Sequence, residues 1–119
     1  MTLKTSFATV LRSLRCKRNI SQRDFGETSR TYLSKLEGAR SNITLEKLGH
    51  VSQRLDLSLL TLMTLTLSEE TGRSAAELID QVCGEIVRLK RDGGVPGLKL
   101  MSSDRVNQQA HAALLSTRR

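Results

Sequence analysis

Residues 29–48 read SRTYLSKLEGARSNITLEKL, and the fold turns on how this stretch is divided. A polar Thr28 or Ser29 opens a helix, because a short hydroxyl side chain can accept from the unpaired N–H groups of the first turn. Gly38 closes it as the expected C′ residue. Between them Leu33 and Leu36 share one face, while Arg30, Ser34 and Lys35 are directed elsewhere. Thr44 then caps a further helix, whose Leu45, Leu48, Val51 and Leu55 recur at helical spacing. Two short amphipathic helices therefore flank a polar loop.

Upstream, Phe7, Val10, Leu11 and Leu14 fall at i, i+3, i+4 and i+7, which predicts a helix from Ser6 to about Asn19. The string Ser21-Gln22-Arg23-Asp24 resembles a capping box and predicts a short second helix, interrupted by Gly26 and the Thr28/Ser29 pair. Downstream, Ser58 opens a segment over 59–67. The spacing of Leu60, Leu62, Leu65 and Leu67 leaves a strand open beyond Met63, although a short helix is favoured. Residues 1–67 thus hold five helical segments, and the polar run Ser68–Arg73 marks a boundary.

Beyond it, Ser74-Ala75-Ala76-Glu77 is a second capping box, introducing a helix that reaches Arg91 before Gly93-Gly94. Ala75, Ile79, Val82, Ile86 and Leu89 along it make an a/d-type seam. A loop over 93–103 contains Pro96, and a last helix is predicted from Ser103-Asp104, carrying Val106, Ala110, Ala113 and Leu114. The fold class is all-α: one domain over 1–67 and a helical extension over 68–119, the latter a dimerisation region with Ile79, Val82, Ile86 and Leu89 as its contacts.

Composition agrees with this class. The 119 residues are 38% hydrophobic, and the only aromatic residues are Phe7, Phe25 and Tyr32, so the core is built mainly from Leu, Ile and Val. The net charge is +7, and its placement is uneven. Residues 1–54 hold eleven Lys/Arg against four acids, whereas residues 55–119 hold eight of each. A basic unit beside a neutral one points to a polyanion-binding module joined to something with another task. Cys16 and Cys83 form no CxxC pair, and His50 and His111 are far apart, so no metal ligand set is expected. Cys16, between Arg15 and Lys17, reads as an incidental surface thiol, with a redox sensor as the alternative. The chain shows no nucleophile–base set, paired carboxylates or phosphate-cradling glycine loop, so an enzyme is not expected and no cofactor is implied. Lacking a signal-peptide core or a membrane-length apolar run, it is expected in the cytoplasm.

Three stretches, LRSLRCKRNISQRDF (11–25), SRTYLSKLEGARSNITLEKL (29–48) and RLDLSLLTL (54–62), resemble the Cro/cI-type, or XRE, helix-turn-helix family of DNA-binding regulators. The resemblance spans roughly residues 5–65. It rests on the Ser21-Gln22 pair, the Tyr32–Gly38 helix ending and Thr44-Leu45-Glu46-Lys47-Leu48, in this order and spacing. It departs from the family pattern in a shorter turn between Gln22 and Tyr32, and in Ile43, where proline is common.

The resemblance implies a five-helix, lambda-repressor-like domain whose third helix enters the major groove of double-stranded DNA. Arg30 is then the expected base reader, since its fork can chelate guanine O6 and N7. Ser29, Thr31 and Ser34 are short enough for base edges or phosphates, and Lys35 reaches either. Gln22 matches the family position that contacts a phosphate. Arg40, Ser41, Asn42 and Thr44 surround the next helix start and are expected at the backbone. Tyr32 is read both as a DNA contact and as a side chain packed beside the core. The function implied is a homodimeric regulator, a repressor more than an activator, at an inverted repeat. The alternative is an antitoxin that blocks a partner toxin protein and represses its own operon. RNA binding is disfavoured, because one short basic helix with few aromatics makes a poor single-strand platform.

Overall fold

The computed structural model describes residues 2–26 and 28–99, and those residues are all helical or irregular, with no strand among them. The five α-helices are α1 Leu3–Lys17, α2 Arg30–Glu37, α3 Leu45–Arg54, α4 Leu59–Thr71 and α5 Ala75–Arg91, with a turn of 3-10 helix at Gln22–Asp24. The predicted last helix with Val106, Ala110, Ala113 and Leu114 lies outside the described residues, as does His111.

Every helical start uses the same device. Thr2, Ser21, Ser29, Thr44 and Ser58 sit in extended backbone, and each side chain accepts from the backbone N–H three residues on. Ser74 does the same for Glu77 at the head of α5 (3.2 Å). Each such cap contributes about 1 kcal/mol. The ends are equally regular. Asn19, Ala39 and Asp56 adopt left-handed φ values of 56°, 56° and 58°. The following amides of Ile20, Arg40 and Leu57 reach back to the carbonyls of Arg15, Lys35 and Ser52. These are Schellman closures, which satisfy carbonyls that the helix leaves open.

Three differences from the sequence reading have physical causes. The second helix is a single 3-10 turn, because Gly26 at φ 73° ends it before an α-turn can propagate. The first helix begins at Leu3, because Thr2 supplies a cap earlier than Ser6. The strand left open beyond Met63 is helix as far as Thr71, so residues 67 and 68 fall inside α4. Its threonines satisfy themselves there: Thr64, Thr66 and Thr71 each donate to the carbonyl four residues back. Gly72 then ends the helix in the left-handed conformation.

The core gathers Phe7, Val10, Leu11, Phe25, Leu33, Leu36, Leu48, Val51, Leu55 and Leu62. α1 packs on α4 and α2, and α3 packs on α4. Leu45, expected on the buried stripe of α3, is 81% exposed because it occupies the first helical position, beyond the edge of the core. The chain divides into two units between Leu78 and Ile79, within α5. α5 has no buried residue; Ile79, Val82 and Leu89 are exposed and Ile86 is half-buried.

Candidate nucleic-acid interface

α2 has two chemically distinct faces because of its length and its spacing. Leu33 and Leu36 are fully buried, and this fixes the rotation of the helix about its axis. Arg30, Thr31 and Lys35 are consequently turned to solvent, with Ser34 half-buried between them. Arg30, Thr31, Ser34 and Lys35 line one open cleft together with Gln22 from the 3-10 turn and Arg40 from the following loop. A second cleft adjoins it, lined by Arg15, Ser21, Gln22, Arg23, Asp24 and Arg30. Gln22 and Arg30 therefore stand on the wall common to both.

The other predicted contacts are placed differently. Ser29 spends its oxygen as the cap of α2, accepting from the Tyr32 amide at 3.1 Å, and keeps its hydroxyl proton to donate. Thr44 does likewise for Lys47 (3.2 Å). Tyr32 packs against the core, half-buried, and its hydroxyl donates to the Asn42 carbonyl at 3.0 Å. It thereby ties α2 to the loop before α3. Asn42 lines a separate, mainly apolar groove with Leu3, Phe7, Ile43, Leu45, Leu48 and Met63 among others.

Sequence reasoning missed the side chains that hold this surface from behind. Arg15 grips Glu37 side-on through one edge of its guanidinium, Nε to Oε2 at 2.6 Å and Nη2 to Oε1 at 2.9 Å. Its Nη1 donates to the Ile20 carbonyl at 2.9 Å. Hydrogen bonding to Glu37 is the chief cause that raises the Arg15 guanidinium above its ordinary pKa. The two side chains are 15% and 6% exposed, so the pair is well shielded from solvent. Gln22 completes the cluster, its Nε2 donating to Glu37 Oε1 at 3.3 Å. The signal for this lay in Glu37 being one of four acids among eleven cations in residues 1–54. Arg54, at the end of α3, donates from Nε and Nη2 to the Asp24 carbonyl at 3.1 and 2.8 Å. Nothing in the sequence pattern marks that clamp.

This architecture has counterparts among solved structures. The likeness is to a gene regulator. Two crystal structures of the clp gene regulator ClgR from Corynebacterium glutamicum are similar to this chain. One shares 26% identity at a TM-score of 0.57, covering 69% of this chain and 90% of that one. The other shares 26% identity at 0.54, covering 58% and 92%. No family model and no curated protein matches the sequence. Among the described residues, no helix is long and apolar enough to cross a membrane.

Proposed function

We propose that this protein is a DNA-binding transcriptional regulator of the Cro/cI (XRE) type, a cytoplasmic repressor that acts as a homodimer on an inverted-repeat operator. The observation that carries this reading is the cleft wall on which Gln22, Arg30, Thr31, Ser34, Lys35 and Arg40 converge. It presents three cations and three neutral hydrogen-bonding side chains, four of the six on α2, whose rotation is fixed by buried Leu33 and Leu36. Such a surface suits a polyanion, with the cations neutralising phosphates and the helix N-terminus reaching base edges. The similarity to a clp gene regulator supports the same class. The chain works by binding rather than catalysis, and needs no cofactor for it.

In this arrangement Arg30 reads a base, and Gln22 and Arg40 hold the phosphates on either side of it. Lys35, one turn further along α2, reaches base or phosphate. The homodimer supplies the second recognition helix, and the α5 stripe is the surface through which two copies meet. Footprinting on the promoter region of the chain's own gene tests the proposal. The expected result is a protected inverted repeat with half-sites about one helical turn apart. Absence of any protected site at low salt would reject it.

A further inference from the structure

Gln22 is the one neutral side chain common to both clefts, and its amide is already bonded before any ligand arrives. Its partner, Glu37, cannot itself meet a polyanion: its side chain is 6% exposed and carries a negative charge. Both oxygens of the Glu37 carboxylate accept from the Arg15 guanidinium, Oε2 from Nε and Oε1 from Nη2. An ionised carboxylate only accepts, so the Gln22 amide must turn Nε2, and never its carbonyl oxygen, toward Glu37. One Nε2 proton is thereby engaged and the second is left for another acceptor.

Resting on the DNA-binding reading above, we infer that Glu37 is a positioning residue for the DNA surface. It fixes the Gln22 amide in a single orientation, with one N–H presented to a phosphate oxygen. It also absorbs the charge of Arg15, which lines the same cleft as Gln22. A glutamine at position 37 would both donate and accept, so Gln22 could take either orientation. The phosphate would then meet a carbonyl oxygen in part of the population.

The test uses the full chain and a duplex that the wild-type chain selects from a random pool, with affinities read by fluorescence anisotropy. Gln22→Ala in the wild-type background weakens binding about tenfold, the scale of one hydrogen bond to a charged group. In the Glu37→Gln background the same Gln22→Ala change costs almost nothing. An equal loss in both backgrounds overturns the inference, as does a Gln22→Ala chain that binds like the wild type. Circular dichroism establishes that each variant is folded. If Glu37→Gln does not fold, the wild-type chain decides by nuclear magnetic resonance of its Gln22 side-chain amide. There, duplex binding shifts one N–H resonance and leaves its Glu37-bonded neighbour nearly unmoved; equal movement of both, or of neither, refutes the inference. A wild-type chain that selects no duplex refutes the DNA-binding reading and this inference together.

Discussion

Ala39 holds a φ of 56°, in the left-handed region where an L side chain crowds its own backbone. Glycine was expected to fill that role at position 38, yet Gly38 has an ordinary φ of −91°. At Gly38 the fit is close instead: a Cβ there would lie 3.3 Å from the Ser34 carbonyl and 3.2 Å from Arg40 Nε, and both would have to give by a few tenths of an ångström. Ala39→Gly should therefore stabilise the chain by about 0.5–1 kcal/mol, the steric relief exceeding the extra entropy of the unfolded state. Thermal melting checks it, and an unchanged or lower midpoint would show that the alanine methyl contributes packing. At the DNA surface the residue-scale expectations divide by role. Arg30→Ala relaxes discrimination at one base position by about 1–3 kcal/mol, read from affinities for single-base operator variants. Arg40→Ala weakens all sequences evenly and lowers the salt slope by about one unit. Equal weakening of operator and random duplex by Arg30→Ala would make Arg30 a phosphate ligand instead.

The 3-10 turn Gln22–Asp24 buries no residue of its own, so its position depends on what surrounds it. Phe25, 1% exposed, plugs the core directly after it, and Arg54 clamps its Asp24 carbonyl from α3. The Arg15–Glu37 pair then ties α1 to the last turn of α2. Phe25→Ala should cost about 3–5 kcal/mol, measured by denaturant unfolding. Its effect on DNA affinity should exceed that of other core truncations of equal cost, because the turn carrying Gln22 loses its anchor. The helix starts after α1 were legible in the sequence because each is announced by Ser or Thr, a local signal, whereas that of α1 was misplaced because Ser6 offers the same signal four residues after the actual cap, Thr2. The apolar faces of α1 and α2 were legible for a similar reason: Phe7, Val10, Leu11, Leu33 and Leu36 keep strict helical spacing. In α4, by contrast, the spacing of Leu60, Leu62, Leu65 and Leu67 favours a helix but leaves a strand open beyond Met63, and burial of Thr66 beside Leu62, one turn apart, shows the helix continuing there. The cleft residues of α2 could be read from the polar side of its pattern. Glu37 and Arg54 act over separations of 22 and 30 residues, which no local pattern encodes.

One recognition helix meets only a few base pairs, so a useful operator needs two such helices about 34 Å apart. Residues 1–54 carry the whole excess of positive charge, and two such surfaces repel each other unless something apolar joins them. In the proposed homodimer α5 is that element. Ile79, Val82 and Leu89 are 51%, 42% and 45% exposed, and they repeat at the seam spacing with half-buried Ile86 among them. The charges along α5 are mixed, with Glu77, Asp80 and Glu85 before Arg88, Lys90 and Arg91, so two copies can approach without net repulsion. Ile79→Lys combined with Ile86→Lys would place unpaired ammonium groups in that seam, a severe penalty for burial. The expected product is a folded monomer that retains weak, salt-sensitive DNA binding and loses high-affinity operator binding. Light scattering reports the mass and circular dichroism the helix content. A variant that stays dimeric moves the interface off α5, with the outward face of α4 at Leu60, 64% exposed, as the next candidate. One that unfolds makes the stripe part of the chain's own core, and one that is already monomeric as wild type leaves α5 to a different protein, as an antitoxin would use it.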